Sequence, residues 1–430
     1  KYSPFNTLTP EQEQVSQEVL FNAIDCLESG ETGTSVLSGK AGTGKSIVLI
    51  HMMYTLMSAM NVTYNDEDLT PDEQLELGIR ISLSNKIRDY VKRHGNLKIA
   101  FVVPMTSIRK TFKAVFAASK GTGLKSNMVI GPQDVLKEDY DIVFVDESHR
   151  LARRKGITSY GSFDEACARL GLDPMVSTQL DMIQKKSKYS VLVYDGCQTV
   201  KAADLTPEQF QRSLDLRTRV IHRVTLQTQM RCEGGQSYLE YLDRIFQVSQ
   251  DDSLMVENYD FKIWDNPNSM IENIRNKDLN LSLCRVVAGY SWRWQSKGCE
   301  TIEQAIRNGL EDIELDGRKY VWNMSNQEWI LREGAVNEIG CVHTTQGYDL
   351  NYVAVIFGHE IDYDDESGSL VIDRSKFYDS KVKDGVDDET LKQYIINSYK
   401  VMMTRGIKGC YVYACNPRLQ NYLKRFIAEA

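Results

Sequence analysis

At 430 residues the chain is long enough for two domains, and its 42% hydrophobic and 26% charged composition lets it bury large cores without staples. Nine cysteines, an odd number with no C-x-x-C pair, argue against a disulfide framework and a zinc site and suit a reducing, cytoplasmic setting. The net charge of −8 does not by itself suit a nucleic-acid partner, and the longest apolar stretch, Ile47–Met60, is too short to span a bilayer, so no membrane association is expected.

Local charge decides more than the sum. Basic residues cluster at Arg109, Lys110 and Lys113 and at Arg150, Arg153, Arg154 and Lys155, while acids gather at Asp362–Glu366 and Asp384–Glu389. At the start of the chain Thr9 is a good N-cap and Pro10 a good first-turn residue, which predicts a helix running to about Leu27. That helix either covers a sheet or reads an adenine edge through the Gln12 amide. Ser35-Val36-Leu37 reads as a strand and Ile47 to Met57 as a helix. Between them stands Gly39-Lys40-Ala41-Gly42-Thr43-Gly44-Lys45-Ser46, a complete G-x-x-x-x-G-K-[ST] loop. Its glycines let successive N–H groups turn inward as an anion nest at a helix N-terminus. Lys45 is placed to reach the β- and γ-phosphates of a nucleotide, and the Ser46 hydroxyl to sit on Mg2+.

Residues 61–96, first acidic and then amphipathic, read as an insertion or an added helix pair. Leu97–Val103 is a buried strand closed by Pro104. Pro104, Thr106, Ser107 and Arg109 follow at a helix start with Thr106 or Ser107 as N-cap, a feature that is either simple capping or a phosphate grip. Asp141–Val145 is the apolar run of a parallel strand covered on both faces. It ends in Asp146 and Glu147, on the edge where parallel sheets bind ligands. Asp146 suits the Mg2+ shell, and Glu147 the proton of an attacking water. Tyr189–Tyr194 is a further strand whose tip presents Gln198, able to bond a γ-phosphate and a neighbouring loop.

A first domain is expected to end near Leu214. Val220–Gln229 then reads as a strand leading into Met230-Arg231-Cys232. Arg285–Tyr290 is a buried strand that runs into Ser291–Lys297, where aromatics interleave with cations and suit base stacking and a domain-edge core equally. Glu338–His343 and Tyr352–Phe357 read as strands with no helix between them, although Thr344-Thr345-Gln346-Gly347 intervene. Asp362–Glu389 reads as a long loop or insertion. The helix Leu391–Met403, the turn Thr404-Arg405-Gly406, the strand Gly409–Ala414 and a helix from Pro417 complete the chain.

Taken in order, these motifs resemble a superfamily 1 helicase, and more narrowly the Schlafen-group helicase-like domain family. The likeness rests on VVPMTSIRKTF at 102–112, VDESHRL at 145–151, QMRC at 229–232, AGYSWRW at 288–294, GCVHTTQGYDLNYVAVIFG at 340–358 and MMTRGIKGCYVY at 402–413. It covers nearly the whole chain. It implies an α/β fold of two tandem RecA-like domains, at 1–214 and 215–430, with small insertions near 61–96, 233–283 and 360–390. ATP and Mg2+ are the implied cofactors. Arg231 and Arg405 match the family's arginine fingers, a device worth ~10³–10⁵ in rate. Gln12 becomes an adenine contact, and Gly39, Ala41, Gly42, Thr43, Gly44, Gln346 and Gly347 join the nucleotide site. Pro104, Thr106, Ser107, Arg109, His343, Thr344 and Thr345 would grip single-stranded or partly duplex nucleic acid. Gln198 and Gln346 would couple the two sites. Met230 departs from an aromatic common in relatives, and Asp349 from a glutamate.

The implied activity is an ATP-driven translocase or helicase. An ATP-controlled clamp or sensor, for example in defence, shares every catalytic residue. A P-loop signalling switch leaves the segments at 104–109 and 343–347 unexplained. The resemblance also leaves room for a nuclease or other domain ahead of Lys1.

Overall fold

The computed structural model describes residues 2–39, 42–61, 71–228, 232–248, 256, 258–324, 329–332, 334–345 and 348–430, with the backbone alone at 71–77, 197 and 217. Two compact units result: Lys1–Thr199 with Ala203–Thr228, and Val200–Ala202 with Gln229–Ala430. Each is an α/β unit built on a six-stranded parallel sheet, as two tandem RecA-like domains require.

The first sheet comprises β1 (Gly33–Gly39), β2 (Ile99–Val102), β3 (Val129–Ile130), β4 (Tyr140–Val145), β5 (Ser187–Tyr194) and β6 (Val220–Leu226), in the order β3-β2-β4-β5-β1-β6. Residues Ile142–Val145 and Tyr189–Val193 are buried, the continuous pattern of parallel strands covered on both faces. Leu192 sits opposite Val36 on one side and Val145 on the other, so β5 separates β1 from β4. Helix α1 (Pro10–Ser29) begins at a capping box in which Thr9 and Gln12 exchange backbone-to-side-chain bonds, and ends at Gly30 with φ 71°. Helix α2 (Lys45–Asn61) follows β1, and α3 (Pro71–His94) follows in the same layer. Leu83, Ile87 and Tyr90 of α3 are buried, and Arg80, Lys86 and Arg93 pair with Glu13, Asp25 and Glu28 of α1. The expected helix pair at 61–96 is therefore one described helix belonging to the sheet's cover. Residues 62–70 lie outside the described residues.

The boundary expected at 214 moves to 228. The strand at 220–226 pairs with β1 from Gly33↔Val220 to Gly39↔Leu226, so it completes the first sheet rather than opening the second. A parallel partner is set by the fold and not by its neighbours in sequence, which is why the break looked earlier.

The second sheet contains β7 (Asp260–Ile263) and β8 (Cys284–Ala288). Two short strands, β9 (Ile313–Leu315) and β10 (Arg318–Tyr320), form a separate antiparallel ribbon. Then come β11 (Ile339–Gly340), β12 (Leu350–Phe357), a second ribbon of β13 (Ile361–Asp364) and β14 (Ser369–Ile372), then β15 (Gly406–Ala414) and β16 (Ala428–Glu429). The sheet order is β11-β8-β12-β15-β7-β16. The insertion expected at 233–283 supplies β7 and the helices Gly235–Gln247 and Pro267–Leu281, whose Tyr238, Leu242, Ile245, Met270 and Ile274 are buried. That segment is core. The loop expected at 360–390 includes the β13–β14 ribbon, in which buried Ile361 and Tyr363 alternate with half-exposed Asp362 and Asp364. Between β11 and β12 a helical turn, Val342–Thr345, replaces the expected absence of helix. Trp292 and Trp294 pack half-buried on the cluster of Val286, Ile313, Trp322 and Ile339, the core reading of that motif. Among the described residues no helix is long and apolar enough to cross a membrane.

At the end of β12 Glu360 is fully buried. Tyr399 Oη donates to its Oε1 at 2.5 Å and accepts from Gly358 N at 2.9 Å. Burial pushes the Glu360 carboxyl up, and the Tyr399 bond only partly opposes this. A carboxyl raised on folding stabilises the fold below its unfolded value, and that stability is lost as pH rises through the folded value. Glu360→Gln, which keeps the acceptor, is expected to melt higher than the parent at pH 8, with the gap closing towards pH 4.5. Calorimetry at the two pH values checks this.

Candidate active site

The site is built on the tips of three strands. β1 runs into the glycine loop, whose Lys40 and Ala41 lie outside the described residues. Gly44 has φ 82°, and a Cβ there would stand 2.4 Å from Gln12 Nε2. The positive φ is what calls for glycine, and the close approach would push the Gln12 amide aside. Gln12 Nε2 donates to Thr43 O at 3.0 Å, so the α1 glutamine braces the loop. Gly39, Gly42 and Thr43 complete its described backbone. Lys45 opens α2 and is 7% exposed. Its Nζ donates to Gly39 O at 2.5 Å and stands 3.5 Å from Asp195 Oδ2 at the tip of β5. Gln198 Nε2 donates to the same Asp195 oxygen at 2.6 Å. Ser46 Oγ lies 2.9 Å from Asp146 Oδ1 and 3.0 Å from Oδ2, joining the loop to the tip of β4.

The two carboxylates of that tip are pushed in opposite directions. Burial, then the neighbouring charge of Glu147, raises the Asp146 carboxyl against the Ser46 bond and Lys45. Burial also works to raise Glu147, but His149, Lys45 and Arg150 outweigh it and hold Glu147 below its usual range. His149 Nε2 is 3.1 Å from Glu147 Oε2. Glu147 adopts φ 49°, ψ 48°, a left-handed conformation uncommon for this residue type. Its side chain keeps 18% exposure, so it stays reachable. A buried carboxylate is costly unless a cation compensates it. Asp146 beside the Ser46 hydroxyl offers the hard oxygen donors that Mg2+ prefers. The residues therefore fit the metal.

Other expected site residues fall differently. Helix α4 (Thr106–Ala118) starts with Met105 at the N-cap and no side-chain cap bond, so neither Thr106 nor Ser107 caps it. Thr106 is exposed, and Pro104 and Ser107 are half-buried. Arg109 is turned onto the end of β2: Nε donates to Val103 O at 2.9 Å and Nη2 to Pro104 O at 3.1 Å. In the second unit Thr344 and Thr345 are buried, with hydroxyls donating to Cys341 O at 2.8 and 3.2 Å. Their short side chains close the turn instead of facing a ligand. His343 is half-exposed, with Nε2 3.8 Å from Asp379. Arg405 is 2% exposed, and its Nε donates to Val401 O at 2.9 Å. Arg231, Gln346 and Gly347 lie outside the described residues. Asp195 and His149 were missed as participants. Asp195 was legible as a carboxylate at a strand tip, and His149 as the second residue after Glu147.

Residues 33–416 match the family described as Schlafen group 3, DNA/RNA helicase domain. An uncharacterized protein of Saccharomyces cerevisiae is 27% identical over 457 residues, covering 97% of this chain and 91% of that one. Among solved structures, Bacteroides Pif1 bound to single-stranded DNA is 11% identical with a TM-score of 0.32, covering 94% of this chain and 92% of that one. A DEAD box protein of Methanococcus jannaschii is 14% identical with a TM-score of 0.27, over 98% and 95% of the two chains. The arterivirus nonstructural protein 10 helicase, in complex with DNA, is 11% identical with a TM-score of 0.35, over 94% and 65%.

Arg109→Ala would leave two strand-end carbonyls without their donor. A loss of about 1–3 kcal/mol is expected for the first unit, read from the shift of its denaturant midpoint.

Proposed function

The chain belongs to the Schlafen group 3 DNA/RNA helicase domain family, and on that premise we propose that it is an ATP-dependent translocase or helicase acting on single-stranded or partly duplex DNA or RNA. The observation that carries this reading is the gathering of Lys45, Ser46, Asp146, Glu147, Asp195 and Gln198 on one sheet edge. Lys45 moves from Gly39 O to the β- and γ-phosphates. Ser46 and Asp146 would hold Mg2+, which would supply positive charge against the developing phosphate charge. Glu147, kept ionised beside His149, accepts the proton of the attacking water. Gln198 senses the γ-phosphate and passes its state to Asp195. Arg231 and Arg405 act as the arginine fingers of this reading. Gln12, the loop backbone from Gly39 to Gly44, Gln346 and Gly347 contact the nucleotide.

Pro104, Thr106, Ser107 and His343 grip the nucleic-acid backbone, a sequence-independent contact. Arg109 positions the first of these segments, and Thr344 and Thr345 shape the turn that carries His343. A cytoplasmic setting is part of the same reading, on the odd number of cysteines and the lack of a C-x-x-C pair in the sequence.

The test is ATPase rate with single-stranded DNA, with single-stranded RNA and with neither, beside a strand-displacement assay. Stimulation is expected, and an inert protein overturns the reading; turnover without displacement moves it to the clamp. Glu147→Gln should bind ATP yet lose turnover. Near-normal turnover would remove Glu147 as the base. Arg405→Ala should slow hydrolysis by ~10³-fold or more, and a change under about threefold excludes a finger role.

A further inference from the structure

Helices α1, α2 and α3 pack together in the first unit, but between them they leave a cavity of about 270 Å3. Ser16 of α1, His51, Tyr54 and Ser58 of α2, and Leu83 and Ser84 of α3 line it. A core cavity of about 150 Å3 holds benzene, so this one has room for two fused rings. Its wall is largely apolar. Glu13 and Arg80, also on that wall, pair with each other, so their charges are spent.

The polar groups of the wall are not spent. Buried hydroxyls ordinarily find partners. Ser16 is only 2% exposed, yet its hydroxyl and those of Ser58 and Ser84 make no hydrogen bond among the described residues. His51 Nδ1 is buried and unpartnered. A buried lone pair is tolerated better than a buried N–H, so the ring proton belongs on Nε2. That nitrogen is not shut away, and it too makes no bond among the described residues. Burial, then the Arg80 charge, pulls the imidazole below its ordinary value against the Glu13 charge, so the ring is neutral at pH 7. Three hydroxyls and one imidazole N–H thus meet at an apolar space that asks for no charge. A molecule that fills it needs flat apolar area and an acceptor.

The same helices shape the glycine loop. Gln12, one turn before Ser16, holds Thr43 O. Lys45 and Ser46 open α2, and His51 lies in its second turn. We propose that this cavity is a binding site for a small, uncharged, two-ring heteroaromatic molecule with a hydrogen-bond acceptor, and that its occupancy is felt at the glycine loop through α1 and α2.

The experiment titrates the full chain at neutral pH with quinoline, whose ring nitrogen is an unprotonated acceptor, and with naphthalene, which has the same outline and no acceptor. Backbone amide shifts are followed. Quinoline is expected to move the amides of residues 16, 54, 58 and 84 with a single Kd of about 1 mM or tighter. Thr43 and Gly44 should move with the same midpoint. Naphthalene should bind at least about threefold more weakly, the worth of one neutral hydrogen bond. His51→Phe keeps a ring and loses the N–H, so it should bring the two probes within about twofold of each other. Ser58→Phe, at a half-buried position, should fill the space and abolish the shifts while the amide spectrum stays dispersed. The proposal is overturned by the lack of any saturable shift, which means that water alone occupies the cavity. Equal affinity for the two probes, a gap that survives in His51→Phe, or binding that survives in Ser58→Phe overturns it as well. Shifts confined to the cavity residues overturn the link to the loop.

Discussion

Everything at the candidate site depends on β5 lying between β1 and β4. Neighbouring parallel strands run about 4.8 Å apart, so a strand inserted between the glycine loop and the Asp146–Glu147 tip spaces them by two such steps. That gap is bridged from both sides. Ser46 reaches Asp146 directly, and Lys45 stands beside Asp195 on the intervening tip. A sheet with β1 and β4 adjacent would press the loop against the carboxylates. The observed order leaves a polar seam with a hydroxyl, an ammonium, three carboxylates and an amide along one edge.

The seam is electrostatically expensive. Lys45, Asp146, His149, Arg150 and Asp204 are all buried, and Arg150 Nη1 pairs with Asp204 Oδ2 at 2.8 Å. Removing charges from water costs more than most pairs return. A structural sheet end would carry apolar or exposed residues instead. The left-handed backbone at Glu147 adds local strain at the residue proposed to move a proton. Cost and strain concentrated at one strand tip are what a preorganised reaction site requires, because its dipoles must already point where charge will develop. Asp146 and Glu147 show the principle on adjacent residues. One is raised by burial, and the other is held down by His149, Lys45 and Arg150.

The parts of the fold that were legible share a physical cause. Parallel strands buried on both faces leave continuous apolar runs, and their polar tips mark the ligand edge, so Asp141–Val145 with Asp146 could be read directly. The glycine loop announces itself because a left-handed backbone such as that of Gly44, at φ 82°, calls for glycine. What stayed hidden depends on distant partners. β6 belongs to the first sheet because β1 accepts it as an edge neighbour, and nothing local at 220–226 says so. The helices at 235–247 and 267–281 looked inserted because β7 between them is only a short Asp-Phe-Lys-Ile run. Thr344 and Thr345 have the chemistry of phosphate ligands, yet a carbonyl one turn away captured their hydroxyls. Side-chain type sets what a residue can bond; the nearest backbone acceptor often decides what it does bond.

The same competition governs charge. In the basic run at 150–155 Arg150 is consumed by Asp204 and Arg154 by Asp164 at 2.7 Å. The acidic Asp362 is likewise taken by Arg418 at 2.6 Å. Arg109, the cation nearest the proposed backbone grip, spends its guanidinium on Val103 O and Pro104 O. Lys110 and Lys113 are the exposed cations of α4. The proposed grip at 104–107 therefore draws on backbone N–H groups and hydroxyls more than on a field of free arginines. A net charge of −8 is compatible with it for that reason: short-range donors fixed at a strand end bind phosphate without the long-range attraction that a basic patch supplies.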